Sequence, residues 1–432
     1  MPRRTDRPGR PKPSSPRARG TAPATSCHAL VAIGLVAVLL VACSPRPQSG
    51  VATATVRVRG NCDTSRVVEV GATLPLSGTS AALAREYLTG LELAVDDVNK
   101  AGGVLGDNRC LELLYKNDRG DSATATQAIS DLVDDESVTY VVGPLLPGQI
   151  MAAGATLARL GIPTGGLSGI DATFRPAHYP WMFPIAASNA TVATKMAQYA
   201  AAQSWSRVGI VSAPGAVGDQ SVATFTRAAR RLGVSVVGRV AVSPRQDASR
   251  EVETLRSTGP QGVVILNDAV AITRVLSARA QLGWRAPVVT TAAATDAAVV
   301  DAVKPPALNE VAAVVPQPLV LTPDVSVPAV RSFRDVVRRH LHAGRIDGSI
   351  VAFAQAYDAV IMLASTANSI HSTSATSLRT YLENAGFQGL LASYSYTTSS
   401  HAGIAGDQLA VVPVDSLSNG LFAQPGPAPS TS

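Results

Sequence analysis

The chain has 432 residues, 46% of them hydrophobic, and a formal net charge of +6. This length is too great for one ordinary hydrophobic core and indicates two lobes. The residues up to Cys43 hold seven of the 37 basic residues and one of the 31 acidic residues, so the rest of the chain is close to neutral and gives no support to a nucleic-acid partner.

The N-terminal segment has the layout of a secretory leader. Basic residues between Arg3 and Arg19 precede an apolar run from Ala29 to Ala42. This run is shorter than the roughly 20 residues that a membrane-spanning helix requires. We therefore expect a removable signal peptide over residues 1–43 and an extracytoplasmic protein.

The residues that close the apolar run, Leu40-Val41-Ala42-Cys43, resemble the lipobox of bacterial lipoproteins. The resemblance implies that Cys43 is lipidated and anchors the mature chain to the cell membrane, since two acyl chains hold a protein on a bilayer. The alternative is an ordinary leader that happens to contain a cysteine. Composition predicts a linker over 44–63 and a disordered tail over 424–432.

Two of the four cysteines remain after Cys27 leaves with the leader and Cys43 is lipidated. An even pair in an oxidising compartment predicts a disulfide between Cys62 and Cys110. Two buried free thiols are the alternative.

Strand and helix patterns alternate along the first half of the chain. In order, the predicted elements are a strand at 67–72, a helix spanning 83–98, a strand at 110–115, a helix at 123–134, a strand at 138–142 and a helix at 149–160. Strands joined by helices run parallel because their crossover is right-handed. The sheet that they form is covered on both faces.

A second α/β series follows. It comprises helices at 190–203, 220–232, 249–257, 270–282 and 297–303, with strands at 207–211, 234–242, 262–266 and 288–291. A proline-rich crossing at 316–328 leads to helices at 329–343, 350–370 and 375–385, which return to the first lobe, and strands near 390–396 and 408–413 go back to the second. The predicted lobes are 64–185 plus 316–386 and 186–315 plus 387–423, joined by a three-crossing hinge.

Five segments resemble the type I periplasmic binding proteins, specifically the leucine/isoleucine/valine-binding branch that serves ABC importers. They are 70–81, 90–106, 111–121, 138–148 and 353–367. The resemblance extends from about residue 66 to residue 422, strongly in the first lobe and weakly in the second. It implies an α/β fold of two Rossmann-like lobes with parallel sheets, which captures a small-molecule solute and presents it to an ABC permease. We expect a monomer with no cofactor and no metal.

The positions that hold the ligand in that family differ here. The resemblance implies hydroxyl groups and backbone amides for an α-carboxylate after the third and fourth strands, where this chain has 145–149 (LLPGQ) and 167–171 (LSGID). Around 290–293, where a carboxylate for the ammonium group is implied, there is none. These differences leave the ligand assignment open between a branched-chain or related amino acid and another small polar or apolar solute, and Asp268 is the candidate for the missing charge.

Candidate ligand-binding residues lie mainly in loops after the predicted strands. They are Ser77, Ser80, Gln149, Ser168, Asp171, Val217, Asp219, Asn267, Asp268, Thr291 and Phe353. Helix capping or turn chemistry is the alternative role for each of them. A ligand sensor or envelope-interaction lipoprotein is the alternative function. Sequence motifs of the common hydrolases, nucleotide-binding loops and metalloproteases are absent, so we expect no catalytic residues.

Overall fold

The structure, a computed structural model, describes residues 52–56, 60–303, 305–321, 335–336, 348–418 and 421–423. The predicted signal peptide, the lipidation site at Cys43, the C-terminal tail and nearly all of the helix predicted at 329–343 lie outside these residues. Of the described helices, Ile350–Ile370 is long and apolar enough to cross a membrane, but it is largely buried inside the fold.

The described elements follow the predicted alternation of strands and helices. The strands are β1 (Thr53–Val56), β2 (Asp63–Leu74), β3 (Arg109–Asn117), β4 (Tyr140–Val142), β5 (Thr164–Gly166), β6 (Met182–Pro184), β7 (Arg207–Ser212), β8 (Ser235–Ala241), β9 (Gly262–Leu266), β10 (Val288–Thr291), β11 (Val311–Pro316), β12 (Val320–Leu321), β13 (Phe387–Gln388), β14 (Ser393–Tyr394), β15 (Leu409–Pro413), β16 (Leu417–Ser418) and β17 (Leu421–Ala423). The helices are α1 (Ala81–Lys100), α2 (Ser122–Asp134), α3 (Pro147–Leu160), α4 (Asn189–Ala202), α5 (Gly215–Arg231), α6 (Ser249–Ser257), α7 (Ala269–Gln281), α8 (Ala297–Val303), α9 (Ile350–Ile370) and α10 (Ala375–Ala385).

The first lobe is built on a six-stranded sheet in the order β1-β3-β2-β4-β5-β6. All neighbours in it are parallel except β1 and β3, which are antiparallel. The central strand β2 is buried from Val70 to Leu74, as expected of a parallel strand covered on both faces. Strand β1 falls in the segment predicted as linker, so that part of the prediction is wrong.

The second lobe is built on a six-stranded sheet in the order β15-β11-β10-β9-β7-β8. Only β15 runs antiparallel to its neighbour, β11. The chain passes between the two sheets three times: from β6 to α4, from β11 to α9 and from β14 to β15. The fold therefore has the predicted class, two Rossmann-like lobes of largely parallel strands joined by a three-crossing hinge.

A buried carboxylate fixes the hairpin formed by β13 and β14. The side chain of Asp358 on α9 accepts hydrogen bonds from the backbone N–H groups of Leu390 and Leu391, at 2.6 and 3.0 Å, and from the Tyr394 hydroxyl at 2.8 Å. These contacts hold the hairpin against a first-lobe helix. The prediction that a strand near 390–396 returns to the second sheet is therefore wrong, whereas the strand predicted at 408–413 does pair there as β15.

The predicted disulfide joins Cys62, immediately before β2, to Cys110 in β3. The two cysteines are 48 residues apart in sequence. Closing a loop of that length stabilises a folded chain by about 4 kcal/mol in the chain-entropy model. The bond therefore secures the amino end of the central strand of the first sheet.

Helices α1 and α9 pack in close contact at Gly90. A Cβ atom at this position would lie 2.2 Å from the carbonyl oxygen of Phe353. The Tyr87 hydroxyl also donates to Gln355 Oε1 at 2.8 Å across the same interface. Helix α9, although distant from α1 in sequence, is thus part of the first-lobe core.

Gly90→Ala should force α1 and α9 apart, because the new methyl group would overlap the Phe353 carbonyl. We expect the free energy of unfolding, measured by urea denaturation, to fall by about 1–3 kcal/mol. Arg85→Ala, at an exposed position of α1, is the matched control and should change it by less than about 0.5 kcal/mol. Equal stabilities of the Gly90→Ala variant and the wild type would contradict this packing.

Candidate functional site

A cavity of about 400 Å³ lies between the two lobes. Its size falls in the usual range for small-molecule sites, about 300–1,000 Å³. The first lobe lines it with Thr79, Ser80, Leu83, Leu146 and Pro147, which follow β2 and β4. The second lobe lines it with residues at or after the carboxyl ends of β7, β8, β9 and β10 and with Asn189 and Val192 of α4. The cleft is therefore bounded by the carboxyl ends of strands in both sheets, where ligands of open α/β sheets bind.

Five of the predicted site residues line this cleft. They are Ser80, Val217, Asn267, Asp268 and Thr291. Asp268 also caps α7, since its side chain accepts from the backbone N–H of Ala271 at 2.9 Å. The structure thus brings together candidates from the carboxyl ends of three strands of the second lobe and from the segment after β2 in the first.

Gln149 has a different position from the one expected of a ligand-binding residue. Its side chain is 1% exposed and Oε1 accepts from the backbone N–H of Leu146 at 3.1 Å. Its Nε2 donates to Asp118 Oδ1 at 2.7 Å. These bonds complete the start of α3, so the structure gives Gln149 the capping role that was its alternative.

Two acidic candidates also have structural partners. Asp171 accepts from the backbone N–H of Ala190 at 2.9 Å and lines a separate cavity of about 420 Å³. Asp219 forms an ion pair with Arg239. Neither lines the cleft between the lobes.

The remaining three candidates do not line the cleft either. Ser77 accepts a hydrogen bond from Asn117 Nδ2 at 3.2 Å. Phe353 is fully buried in the packing of α9 on α1. Ser168 is half-buried next to β5. The prediction that Phe353 borders the groove is wrong because α9 turns this ring into the core.

Asp296 is a charged cleft residue that is not among the candidates from the sequence. It lies directly before α8, its side chain is 9% exposed, and it lines the cleft. Its Oδ1 receives no hydrogen bond from any of the described residues. The Ser349 hydroxyl, at the start of α9, donates to the same carboxylate. The sequence feature that could have identified Asp296 is its position shortly after residues 290–293, the segment in which the resemblance implies a carboxylate.

The surroundings of Asp296 disfavour its charge. Burial, with a smaller contribution from the Glu86 carboxylate, raises the pKa of this carboxyl to about 6 against the opposing effect of the Ser349 hydrogen bond. Burial also raises the pKa of the Tyr87 phenol, with a smaller contribution from Asp296. Asp296 thus lies where the second lobe meets α1 and the start of α9.

The rest of the described cleft lining is mainly apolar and carries no basic residue. Leu83 and Leu146 of the first lobe face the cavity together with Val192, Val217 and Leu266 of the second. Its charged residues are Asp268 and Asp296. This arrangement can desolvate an apolar body and attract a positive charge or hydrogen-bond donor.

Two lobes around a ligand-sized cleft define a class of hinged binding proteins. The family model described as periplasmic binding protein matches residues 67–420, so the chain belongs to that family. The predicted resemblance to type I periplasmic binding proteins is confirmed.

Individual relatives are similar over parts of the chain. The chain is 34% identical over 95 residues to the Leu/Ile/Val-binding protein BraC3 of Rhizobium johnstonii. This alignment covers 22% of this chain and 25% of that protein. It is 28% identical over 200 residues to Leu/Ile/Val-binding protein homolog 3 of Brucella melitensis, covering 45% of this chain and 53% of that protein. The chain thus spans between about a quarter and about half of the length of these curated relatives.

The fold is also that of a solved structure, the branched-chain amino acid transporter substrate binding protein LivJ from Streptococcus pneumoniae, in complex with isoleucine. The TM-score is 0.70 at 17% sequence identity, covering 83% of this chain and 98% of that one. At this identity the likeness concerns the fold alone.

Asp296→Asn should change how stability depends on pH. The raised pKa means that the folded chain holds a proton on Asp296 that the unfolded chain, with a carboxyl pKa near 3.9, releases. The free energy of unfolding should therefore fall as pH rises from about 4 to about 6, by about 3 kcal/mol from this group. The variant should lack that part of the decline.

Urea denaturation of the wild type and of Asp296→Asn at pH 4 and pH 7 measures this difference. Asp358, whose pKa burial also raises to about 6, is present in both proteins and contributes equally. Identical pH slopes for the two proteins would contradict the buried, charge-disfavouring position of Asp296.

Proposed function

We propose that the protein is an extracytoplasmic solute-binding protein that captures a small ligand between its lobes and delivers it to an ABC permease. The observation that carries this proposal is the cavity of about 400 Å³ lined by both lobes. A ligand that contacts both lobes binds the closed arrangement more tightly than the open one, and only such a difference can shift a hinge. Binding and release require no nucleophile, so we propose that the protein is not an enzyme.

The first ligand candidate is a branched-chain or related amino acid. The names of the matched relatives and the apolar walls at Leu83, Leu146 and Val217 support it. A branched aliphatic side chain gains about 1.5–3 kcal/mol when it is fully buried against such walls. Delivery to a permease then requires a closed form that the permease distinguishes from the open one.

We also propose that Cys43 carries a lipid anchor that keeps the protein at the outer surface of the cell membrane. The support is the Leu40–Cys43 sequence at the end of the apolar run. An anchored receptor stays close to its permease, which raises their effective concentration without any new contact.

Val217→Trp should fill the cleft and abolish ligand binding, because Val217 is a half-buried residue of its wall. Thermal unfolding of the full chain is measured with each member of a panel of amino acids and related solutes. A ligand at 100 times its dissociation constant should stabilise the wild type by about 2.7 kcal/mol. The same ligand should not change the thermal stability of the Val217→Trp variant.

Met151→Trp is the matched control for this experiment, because Met151 is 57% exposed and does not line the cleft. It should keep the full ligand response. If no solute stabilises the wild type while an envelope protein is captured by the chain, the sensor or envelope-interaction function replaces transport.

Cys43→Ala should abolish lipid attachment, because the thioether forms on this sulfur. Cells that express the full chain are labelled with a palmitate analogue, and label on the purified protein is measured. The wild type and the control variant Cys27→Ala should carry label, and Cys43→Ala should not. An unlabelled wild type would contradict the proposed anchor.

A further inference from the structure

The charge of the cleft is one-sided. The described residues that line it include two carboxylates, Asp268 and Asp296, and no lysine, arginine or histidine. Opposite charge stabilises an ionised group in a poorly solvated site, and like charge destabilises it. A ligand cation is therefore favoured in this cleft, and a ligand carboxylate is repelled.

Asp296 is the stronger anchor of the two carboxylates. Asp268 is exposed and already accepts the hydrogen bond that caps α7. Asp296 is 9% exposed, and its Oδ1 has no donor among the described residues. A ligand ammonium group beside Asp296 would stabilise the ionised form of this buried carboxyl. The charged group that affects the pKa of Asp296 is Glu86, which is also acidic.

In the first lobe, the loop after β4 offers few hydrogen-bond donors to a ligand carboxylate. Two residues of this loop line the cleft, Leu146 and Pro147. The Leu146 N–H already donates to Gln149 Oε1, and proline has no backbone N–H. The capping bond that holds the start of α3 thus removes the donor that a ligand carboxylate would need here.

In the first lobe, the start of α1 is the remaining place where a ligand carboxylate could find donors, and the second lobe adds the neutral groups of Asn189, Ser221, Asn267 and Thr291. At the start of α1, Thr79 and Ser80 line the cleft with neutral hydroxyl groups. Without backbone donors from the loop after β4, these neutral groups offset only part of the desolvation of a carboxylate. Asp268 and Asp296 would share the same cavity with it and oppose its charge.

We propose that the cleft recognises a small apolar amine, with the amine nitrogen donating to Asp296 and the apolar body against the walls of the cavity, and that no ligand carboxylate is needed. This inference rests on the proposed solute-binding function and replaces the amino acid, its first ligand candidate, by an amine without a carboxylate. The α-carboxylate of an amino acid weakens binding here instead of strengthening it.

Four compounds that share the isobutyl group test this assignment: isopentylamine, leucine, isovalerate and isopentanol. Their affinities for the full chain are measured by isothermal titration calorimetry at pH 7. We expect isopentylamine to bind at least roughly tenfold more tightly than leucine, a difference of about 1.4 kcal/mol, and isovalerate to bind most weakly.

Leucine binding more tightly than isopentylamine would overturn the inference and leave the proposed function intact, with Thr79 and Ser80 as the place for its carboxylate. Failure of all four compounds to bind would also overturn the inference. The proposed function fails only if the wider solute panel gives no binding either.

Asp296→Asn tests the role of the residue itself. It should weaken isopentylamine binding at least roughly tenfold and leave the affinity for uncharged isopentanol unchanged. Asp134→Asn, at an exposed position near the end of α2, is the matched control and should bind isopentylamine like the wild type. An unchanged isopentylamine affinity in Asp296→Asn would overturn the assignment. Should this variant fail to fold, the comparison of the four compounds on the wild type still decides.

Discussion

The parallel course of the strands is the constraint on which the rest of the structure depends. A helix must carry the chain back to the starting edge of the sheet after each strand, so the loops after the strands gather at the opposite edge. In the first lobe these are the loops after β2 and β4, and in the second lobe those after β7, β9 and β10. The two loop edges border one cavity, and the site is therefore a product of topology more than of any single motif.

Binding between lobes requires that each lobe moves as a unit. The contact of Gly90 with the Phe353 backbone and the Asp358 hydrogen bonds to the β13–β14 hairpin secure the C-terminal helices to the first lobe. Both contacts are buried and leave little room for displacement. The free energy of ligand binding can then drive a rotation of the lobes at the crossings between the sheets, where the hinge lies.

Much of the fold could be predicted because its repeating units are local. Helix α6 and strand β9 have the bounds that the sequence indicated, since polar or flexible residues punctuate short apolar runs there. Strand β6 was missed because it has three residues, too few for a periodic signal, and β5, of the same length, was implied only by the resemblance. Strand β1 was missed because its pairing with β3 is a contact between distant parts of the chain.

The site was harder to predict than the fold, for a physical reason. Of the residues proposed from the sequence at the ends of strands, Asp268 and Thr291 line the cleft. A polar residue after a strand can equally cap the next helix, however, and Gln149 does so. Asp296 was missed because its role in the site depends on its burial against α1 and the start of α9, which no local sequence pattern indicates.

The central claim is that one small molecule contacts both lobes and is held by a buried carboxylate. A crystal structure of the full chain grown with isopentylamine tests it most directly. We expect the ligand nitrogen about 3 Å from a carboxylate oxygen of Asp296 and the branched carbons against Leu146 and Val217. A ligand that contacts one lobe alone, or whose nitrogen lies away from Asp296, would contradict the claim.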